Sequence, residues 1–214
     1  VRTAQRDIRE NVSGNHPRVY RQVSAGTNIA AITLPYRLPF SSEYSDLLNH
    51  ILMTRQVLIY PPFIFNTPQN KRSGKFARVE NNPLQGLHIN PKEWLCYPAK
   101  VGELVILVYF TVQWFELGFS LANLFELAED ADLKRKPDAI YFYGIPVEGD
   151  HEPGVSETIF YEDNDNNILI GTVPFRKEYA YFGYLKKMIL TLHNVKMMKM
   201  QRMPFHGAMF HLVL

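Results

Sequence analysis

The chain has 214 residues, of which 46% are hydrophobic and 21% are charged, so it can bury a large core and is not a disordered tail. Its formal net charge of +2 is too small to predict a nucleic-acid partner, because polyanion binding usually needs a concentrated basic face. The single cysteine, Cys96, excludes an intrachain disulfide and a multi-cysteine zinc site, which favours a reducing compartment and predicts a cytoplasmic protein.

Charge is unevenly distributed along the chain. Residues 126–165 hold twelve acids and three bases, whereas residues 186–202 hold five bases and no acid. This distribution favours a local anion site over a basic surface. The most apolar run, LVILVYFTVQWF, has twelve uncharged residues before Glu116, against about 20 in a membrane-spanning helix, so we expect no membrane segment.

The first elements are predicted from residue type and spacing. Residues 1–25 are polar and basic without a clear period, which indicates an N-terminal arm or surface helix, and residues 26–214 form the remaining unit. NIAAITLPY is predicted to be a strand. In SSEYSDLLNHILMTR, a serine N-cap precedes apolar residues at helical spacing, which predicts an amphipathic helix that includes Tyr44, Leu48 and Leu52.

The following segments alternate between strand and helix patterns. QVLIYPPFIF is rich in β-formers but interrupted by prolines, and NNPLQGLHINPKEW has the composition of a loop. GELVILVYFTV is a continuous apolar run, typical of a strand buried on both faces, and WFELGFSLANLFELAED is predicted to be the helix that covers it.

The later segments complete a mixed α/β domain. KPDAIYFYGIP predicts a further buried strand, and SETIFYEDNDNNILIGTV predicts a hairpin, because an Asp/Asn cluster separates two β-prone runs. The fold class we predict is therefore α/β, with a mixed sheet flanked by helices. The last residues, Met209 to Leu214, have the pattern of a core strand.

Two segments resemble ligand-binding motifs but lack residues that those motifs require at fixed positions. EDNDNN lacks the glycine and glutamate that an EF-hand calcium loop needs, so we interpret it as a hairpin turn. NKRSGK lacks the upstream glycine of a phosphate-binding P-loop, and no P-loop occurs in the 214 residues. The chain alone therefore predicts no recognisable nucleoside triphosphate site.

Periodicity predicts the directions of two histidines and two lysines near the C-terminal end of the sequence. His206 and His211 are five residues apart, which places them on opposite faces of a strand, so they cannot easily share one metal ion. In the helix predicted for YLKKMILTLHNVKMM, Lys186 and Lys187 diverge by about 100° beside a stripe containing Leu185 and Ile189. Periodicity alone predicts that both lysines are solvated.

The order of residues near the end carries a resemblance to a known family. Tyr181 and Gly183 precede Lys186 and Lys187, and His206 in MPFHGA lies nineteen residues after the second lysine. This pattern resembles ATP-dependent phosphoenolpyruvate carboxykinases, in which a tyrosine, a glycine pair, an acidic residue and a Lys-Lys pair lead a helix, followed by a Met-His-Cys-Ser-Ala-Asn strand.

The resemblance extends upstream. KPDAIYFYGIP and NNILIGTVPFRKEY are similar to the strands that precede this tyrosine in the family, so that about 75 residues from Pro137 onward carry the resemblance. RSGKF at Arg72 resembles the family's Arg-Ser-Pro-Lys loop. In the family a P-loop follows soon after the histidine strand, so the chain resembles the N-terminal lobe without the nucleotide-binding lobe.

The resemblance implies a function for the intact protein, a lyase that acts in gluconeogenesis. Such an enzyme converts oxaloacetate and ATP into phosphoenolpyruvate, carbon dioxide and ADP. A bound Mn²⁺ or Mg²⁺ stabilises the enolate formed by decarboxylation and bridges to the γ-phosphoryl group. The resemblance implies Lys187 and His206 as metal ligands and Tyr181, Lys186 and Arg72 as catalytic residues, with Arg72 clamping a substrate carboxylate. The implied partners are a small-molecule carboxylate substrate and the absent C-terminal nucleotide lobe, and the chain alone is expected to be inactive.

Several positions depart from the family pattern. Tyr184 replaces the acidic residue, Phe182 replaces the first glycine, and residues 207–210 replace the Cys-Ser-Ala-Asn run. These changes are expected to alter substrate contacts more than metal ligation. The alternatives are therefore a related kinase with another acceptor, or a catalytically silent module that binds a carboxylate, a phosphate or a partner protein. A third alternative is a purely structural α/β domain, in which the spacing of the tyrosine, the lysines and the histidine would be a coincidence.

Overall fold

The structure, a computed structural model, describes residues 20–22, 29–38, 44–59, 75–147, 149 and 155–205, with the side chains of 20–22 excepted. Within these residues ten strands form one sheet. The strands are β1 (Tyr20–Gln22), β2 (Ile29–Leu34), β3 (Leu52–Ile59), β4 (Ala77–Val79), β5 (Trp94–Val101), β6 (Leu104–Thr111), β7 (Glu126–Leu127), β8 (Ala139–Ile145), β9 (Ile159–Asp163) and β10 (Ile168–Pro174). The helices are α1 (Ser45–Leu48), α2 (Phe115–Phe119) and α3 (Phe182–Lys199).

The sheet is mixed. Its order is β1-β2-β3-β5-β6-β8-β10-β9-β4, and β7 pairs with β5 beside this path. The central strands β6, β8 and β10 are parallel, whereas β5–β6, β9–β10 and the β1–β2–β3 meander are antiparallel. The predicted α/β class with a mixed sheet is therefore confirmed at this level.

Helix α3 covers one face of the sheet. It contacts β8 and β10 through a buried stripe that contains Leu185, Met188, Ile189 and Leu192. Gly171 of β10 allows this close approach, because a Cβ at that position would lie 2.9 Å from the sulfur of Met188. The stripe matches the predicted helical spacing.

Several predicted elements are confirmed. All eight residues of β6 are buried, as expected for a strand covered on both faces, and β8 is the predicted second buried strand. Strands β9 and β10 form the predicted antiparallel hairpin. Its turn ends at Asn167, whose φ of 53° lies in the left-handed region that asparagine tolerates better than most residues.

The predicted amphipathic helix that would include Tyr44 and Leu52 is wrong in length. Helix α1 ends at Leu48, its N-cap residue is Tyr44 rather than a serine, and no side chain caps it. Leu52 instead opens the eight-residue strand β3, which pairs with β2 from Ile29↔Ile59 to Leu34↔Met53. Leu52 and Met53 also pair with β5, so strand pairing with distant segments overrides the local helical spacing.

The predicted covering helix after β6 is also shorter than expected. Only Phe115–Phe119 is α-helical, with 3₁₀ turns on both sides, and the segment ends in the short strand β7. Gly118 allows α2 to lie close to the sheet, because a Cβ at this position would lie 2.3 Å from the buried ring of Phe110.

The sequence predicts a loop up to Trp94 and gives no signal for strand β5, which begins at that residue. Pro98 lies inside this strand, between the residues that pair with β3 and those that pair with β7. On this side of the strand the carbonyl oxygen of Pro98 accepts from the backbone N–H of Ala128 at 2.8 Å. A proline is tolerated there because neither β3 nor β7 pairs with residue 98, so no ladder hydrogen bond on this side needs its missing N–H.

Part of the predicted N-terminal arm, Tyr20–Gln22, forms the edge strand β1, and the strand predicted for Met209–Leu214 lies outside the described residues. Within the described part of the chain, no helix combines the length and apolarity that crossing a membrane requires.

Candidate functional site

The start of α3 is fixed by the carboxyl end of β8. The backbone N–H of Tyr181, the N-cap residue, donates to the hydroxyl oxygen of Tyr143 at 3.1 Å. The Tyr143 hydroxyl in turn donates to the carbonyl of Tyr179 at 2.5 Å. A side chain from a central strand therefore holds the backbone that leads into the helix.

More tyrosines surround this turn. The hydroxyl of Tyr179 donates to Glu157 Oε2 at 3.0 Å, and the ring of Tyr184 packs edge-on against Tyr179 at 5.0 Å between centroids. The hydroxyl of Tyr141 donates to the carbonyl of Tyr184 at 3.3 Å. Burial raises the pKa of Tyr141 and Tyr143 well above the usual phenol range, so both remain neutral hydrogen-bonding groups.

Gly183 is required by the position of the Tyr181 ring. A Cβ at residue 183 would lie 2.2 Å from the Cε1 atom of that ring. The ring therefore lies against the first turn of α3, where only glycine leaves room for it. The second glycine of the family pattern thus has a steric role that involves a predicted site residue.

Both predicted lysines are exposed. Lys186 and Lys187 lie between the buried residues Leu185 and Met188, as the helical spacing predicts. The first turn of α3 contains no acidic residue, and its N-cap makes no side-chain hydrogen bond. The partial positive charge of the helix N-terminus and the two lysines together favour an anion.

The other predicted site residues lie outside the described part of the chain. Arg72 and His206 are not among the described residues, and Phe205 is the last residue before His206. Within the described ranges, no three His, Cys, Asp or Glu side chains are grouped so that they could hold a metal ion. The structure thus places Tyr181 at the N-cap of α3 and Lys186 and Lys187 in its first two turns, and the rest of the site remains a prediction.

Sequence reasoning missed the residues that support this turn. Arg176 Nε pairs with Glu157 Oε1 at 3.0 Å, and Arg176 Nη2 donates to the carbonyl of Gly149 at 3.0 Å. Glu157 also accepts from Tyr179, so its carboxylate joins its own segment to residues 176–179, and Arg176 links both to Gly149. The aromatic density of FRKEYAYFGY was a signal, but it does not reveal partners that lie far away in the sequence.

A cleft lies on the opposite face of the sheet from α3. It encloses about 710 Å³ between α1, the loop 82–89 and the β9–β10 turn. The buried carboxylate of Asp163 accepts from the hydroxyl of Tyr44 at 2.5 Å and from the backbone and side-chain nitrogens of Asn166 at 2.9 and 2.8 Å. Burial opposes ionisation, but these hydrogen bonds outweigh it and lower the pKa of Asp163. The Asp/Asn cluster thus forms the predicted hairpin turn.

No protein-family model matches the chain, and no curated protein or solved structure matches it. The resemblance to carboxykinases therefore rests on the residues and their spacing alone.

Proposed function

We propose that this chain is the substrate-binding lobe of a phosphoenolpyruvate carboxykinase-like enzyme. In the intact protein, a nucleotide-binding lobe outside these 214 residues would supply ATP, and the products would be phosphoenolpyruvate, carbon dioxide and ADP. The observation that carries the proposal is the arrangement at the start of α3, where Tyr181 precedes a tight glycine contact and two exposed lysines.

The position of this arrangement in the sheet supports the proposal. Tyr181 is held by Tyr143 at the carboxyl end of β8, one of three parallel central strands. In open α/β sheets, ligands bind outside the carboxyl ends of parallel strands. A carboxylate or phosphate at this edge would meet an uncapped helix N-terminus and two lysines.

The length of the chain is compatible with a shared metal site. Helix α3 carries the chain about 18 Å from Lys187 to Lys199. The N–H of Arg202 donates to the carbonyl of Met197 at 2.9 Å, so the chain turns at the end of α3 before it can run back along the helix. The four residues from Arg202 to His206 can span up to about 14 Å when extended. An imidazole at 206 would therefore approach the amine at 187 when this segment runs back along α3 and the long lysine side chain reaches toward it.

The two nitrogen donors predicted in this chain would hold a divalent cation only together with oxygen ligands from other groups. Lys187 and His206 would supply two nitrogens, whereas Mn²⁺ and Mg²⁺ favour oxygen ligands, which phosphate groups and water would provide. When bound, the cation would stabilise developing negative charge on substrate oxygen. A lysine binds a metal ion only through its neutral amine, because an ammonium group has no lone pair to offer.

The residues of this chain would bind and orient the substrate. The Tyr181 ring, held in place over Gly183, would limit the orientations of a small carboxylate beside the helix start. Lys186 would offer a second positive charge, and Arg72 would grip a carboxylate through paired hydrogen bonds. The neutral hydroxyl groups of the tyrosine cluster keep this turn rigid without adding charge.

Mn²⁺ titration of the protein, followed by the electron paramagnetic resonance signal of the free ion, tests the ligand assignment. Lys187→Ala and His206→Ala are each expected to weaken Mn²⁺ binding at least about tenfold, as expected for loss of a ligand. Lys199→Ala removes an exposed lysine from the other end of the same helix and serves as the matched control. Equal affinity in all three variants and the wild type would refute the assignment.

One observation favours a second function, a catalytically silent module that binds a carboxylate or phosphate metabolite. Tyr184 stands where the family has an acidic residue, and its ring packs against Tyr179 and lies 6.4 Å from the ring of Tyr181. The space beside Tyr181 thus holds an aromatic ring instead of a carboxylate. Oxaloacetate binding without turnover in the complete protein would support this alternative.

A further inference from the structure

The cleft on the face opposite α3, here called the hairpin cleft, has the size of a small-molecule site. Its volume of about 710 Å³ lies within the range of about 300–1,000 Å³ typical of such sites. Its apolar part includes Leu47, Leu84 and the half-buried ring of Tyr161. Its exposed polar groups include Asp46, His88 and Asp165.

The walls of the hairpin cleft are held in place by hydrogen bonds between distant segments. Asn82 Nδ2 donates to the Tyr44 hydroxyl at 2.9 Å, and that hydroxyl donates to Asp163 in the β9–β10 turn. Loop 82–89, α1 and the hairpin are thereby joined through one buried tyrosine. A ligand would enter a preformed site and would not have to order these segments.

The charge of the lining selects against anionic ligands. Among the residues that the structure describes, no lysine or arginine lines the hairpin cleft, whereas Asp46, Asp163 and Asp165 do. Strong attraction of a cation is also not expected, because Asp163 is already engaged in hydrogen bonds and the other two carboxylates are exposed to solvent. The remaining chemistry is that of a neutral ligand with many hydroxyl groups.

The lining groups match such a ligand. Carboxylates accept hydrogen bonds, and amide and imidazole side chains both accept and donate them, which together suits hydroxyl groups that do both. The ring of Tyr161 and the leucines offer an apolar surface for the C–H face of a sugar ring or cyclitol.

We propose that the hairpin cleft binds a neutral polyhydroxylated ligand of the size of one or two sugar rings. Asp165 and His88 contact its hydroxyl groups, and Tyr161 contacts its apolar face. This site does not use α3, its lysines or any metal ion. The proposal for the hairpin cleft is therefore independent of the carboxykinase-like function.

Saturation-transfer NMR on the 214-residue chain tests the proposal. The probes are glucose, galactose, mannose and myo-inositol, with glucose 6-phosphate and spermidine as the anionic and cationic comparisons. Saturation transfer is expected from at least one neutral probe at millimolar concentration, and neither charged compound is expected to displace it at equal concentration.

Variants locate the binding. Asp165→Ala and His88→Ala change exposed residues of the hairpin cleft and are each expected to weaken binding about five- to tenfold. Asp130→Ala removes an exposed aspartate outside the hairpin cleft and should leave binding unchanged, as should Lys187→Ala. The proposal is overturned when no neutral probe shows transfer, when spermidine or the sugar phosphate binds more tightly, or when both cleft variants bind like the wild type.

Discussion

Lys196 is a buried lysine whose ammonium group holds the β9–β10 turn against α3. The residue is 6% exposed, and Nζ donates to the carbonyl oxygen of Asn167 at 2.7 Å and to its Oδ1 at 3.1 Å. Asn167 has a positive φ of 53°, so these hydrogen bonds fix a backbone conformation that most residues avoid. Lys196→Met keeps most of the aliphatic stem and removes both hydrogen bonds.

The expected loss of stability follows from opposing contributions. Hydrogen bonds from a charged donor contribute about 1.5–3 kcal/mol each, and no further penalty is expected for the carbonyl of Asn167, because this residue is exposed and water can replace the lost donor. Against this, methionine avoids burial of an ammonium group, a cost that is reflected in the lowered pKa of Lys196. Two lost hydrogen bonds outweigh one relieved burial cost, so we expect Lys196→Met to lower the free energy of unfolding by about 1–3 kcal/mol.

Lys199→Met is the matched control. Lys199 lies near the end of the same helix and donates to Glu162 Oε2 at 2.9 Å and to Asn164 Oδ1 at 2.7 Å, but its side chain is 33% exposed. Pairs of this kind near the surface contribute less than about 1 kcal/mol. Urea unfolding followed by circular dichroism at neutral pH compares both variants with the wild type.

The pH dependence gives an independent check on the same residue. Because burial lowers the pKa of Lys196 in the folded state, the unfolded state binds more protons between that pKa and 10.5. The stability of the wild type relative to Lys196→Met should therefore increase as pH rises through this window. Equal stability of Lys196→Met and the wild type, or equal losses in the two lysine variants, would refute the reasoning.

Two further variants test packing and the hairpin turn. Gly118→Ala gains about 1 kcal/mol of helix propensity but places a Cβ 2.3 Å from the fully buried ring of Phe110. Overpacking typically costs about 1–3 kcal/mol, so thermal unfolding should show net destabilisation, and a raised melting temperature would contradict this. Asp163→Asn should lower stability at neutral pH by about 1–3 kcal/mol, since it weakens hydrogen bonds to a buried carboxylate. The pKa of Asp163 is lowered in the folded state, so its contribution to stability is present above the ordinary carboxyl pKa and is lost as pH falls through the folded pKa. Parallel curves of unfolding free energy against pH for the variant and the wild type would contradict this.

The central strands could be predicted because the local sequence alone indicates that both of their faces are buried. The continuous apolar run of β6 and the proline-led run of β8 have no polar face, as parallel strands covered on both sides require. The β9–β10 hairpin was predictable from its Asp/Asn turn for the same local reason. Helix α3 followed from the spacing of its buried stripe, which also predicted exposed lysines.

The elements that sequence reasoning misjudged depend on distant partners. The helical spacing around Leu48 is real, but β3 pairs with β2 up to Met53 and with β5 at Leu52 and Met53, and this pairing ends the helix early. Strand β5 contains a proline and a buried lone cysteine, which gave no clear strand pattern, and it is specified by its neighbours β3, β6 and β7. Tertiary context overrides local propensity at both places.

The candidate site shows the same division between local and distant information. Gly183 and the lysines belong to one helix and are visible in the sequence, but Tyr143 lies 38 residues before Tyr181 and reaches it only through the sheet register. In that register Tyr143 pairs with Val173 of β10, and both lie on the face that α3 covers. A slip of one residue would turn Tyr143 to the other face and bring Phe142 or Gly144 to its place, and neither has a hydroxyl group to accept from the Tyr181 N–H. The orientation of the proposed site thus depends on strand pairing that no short motif specifies.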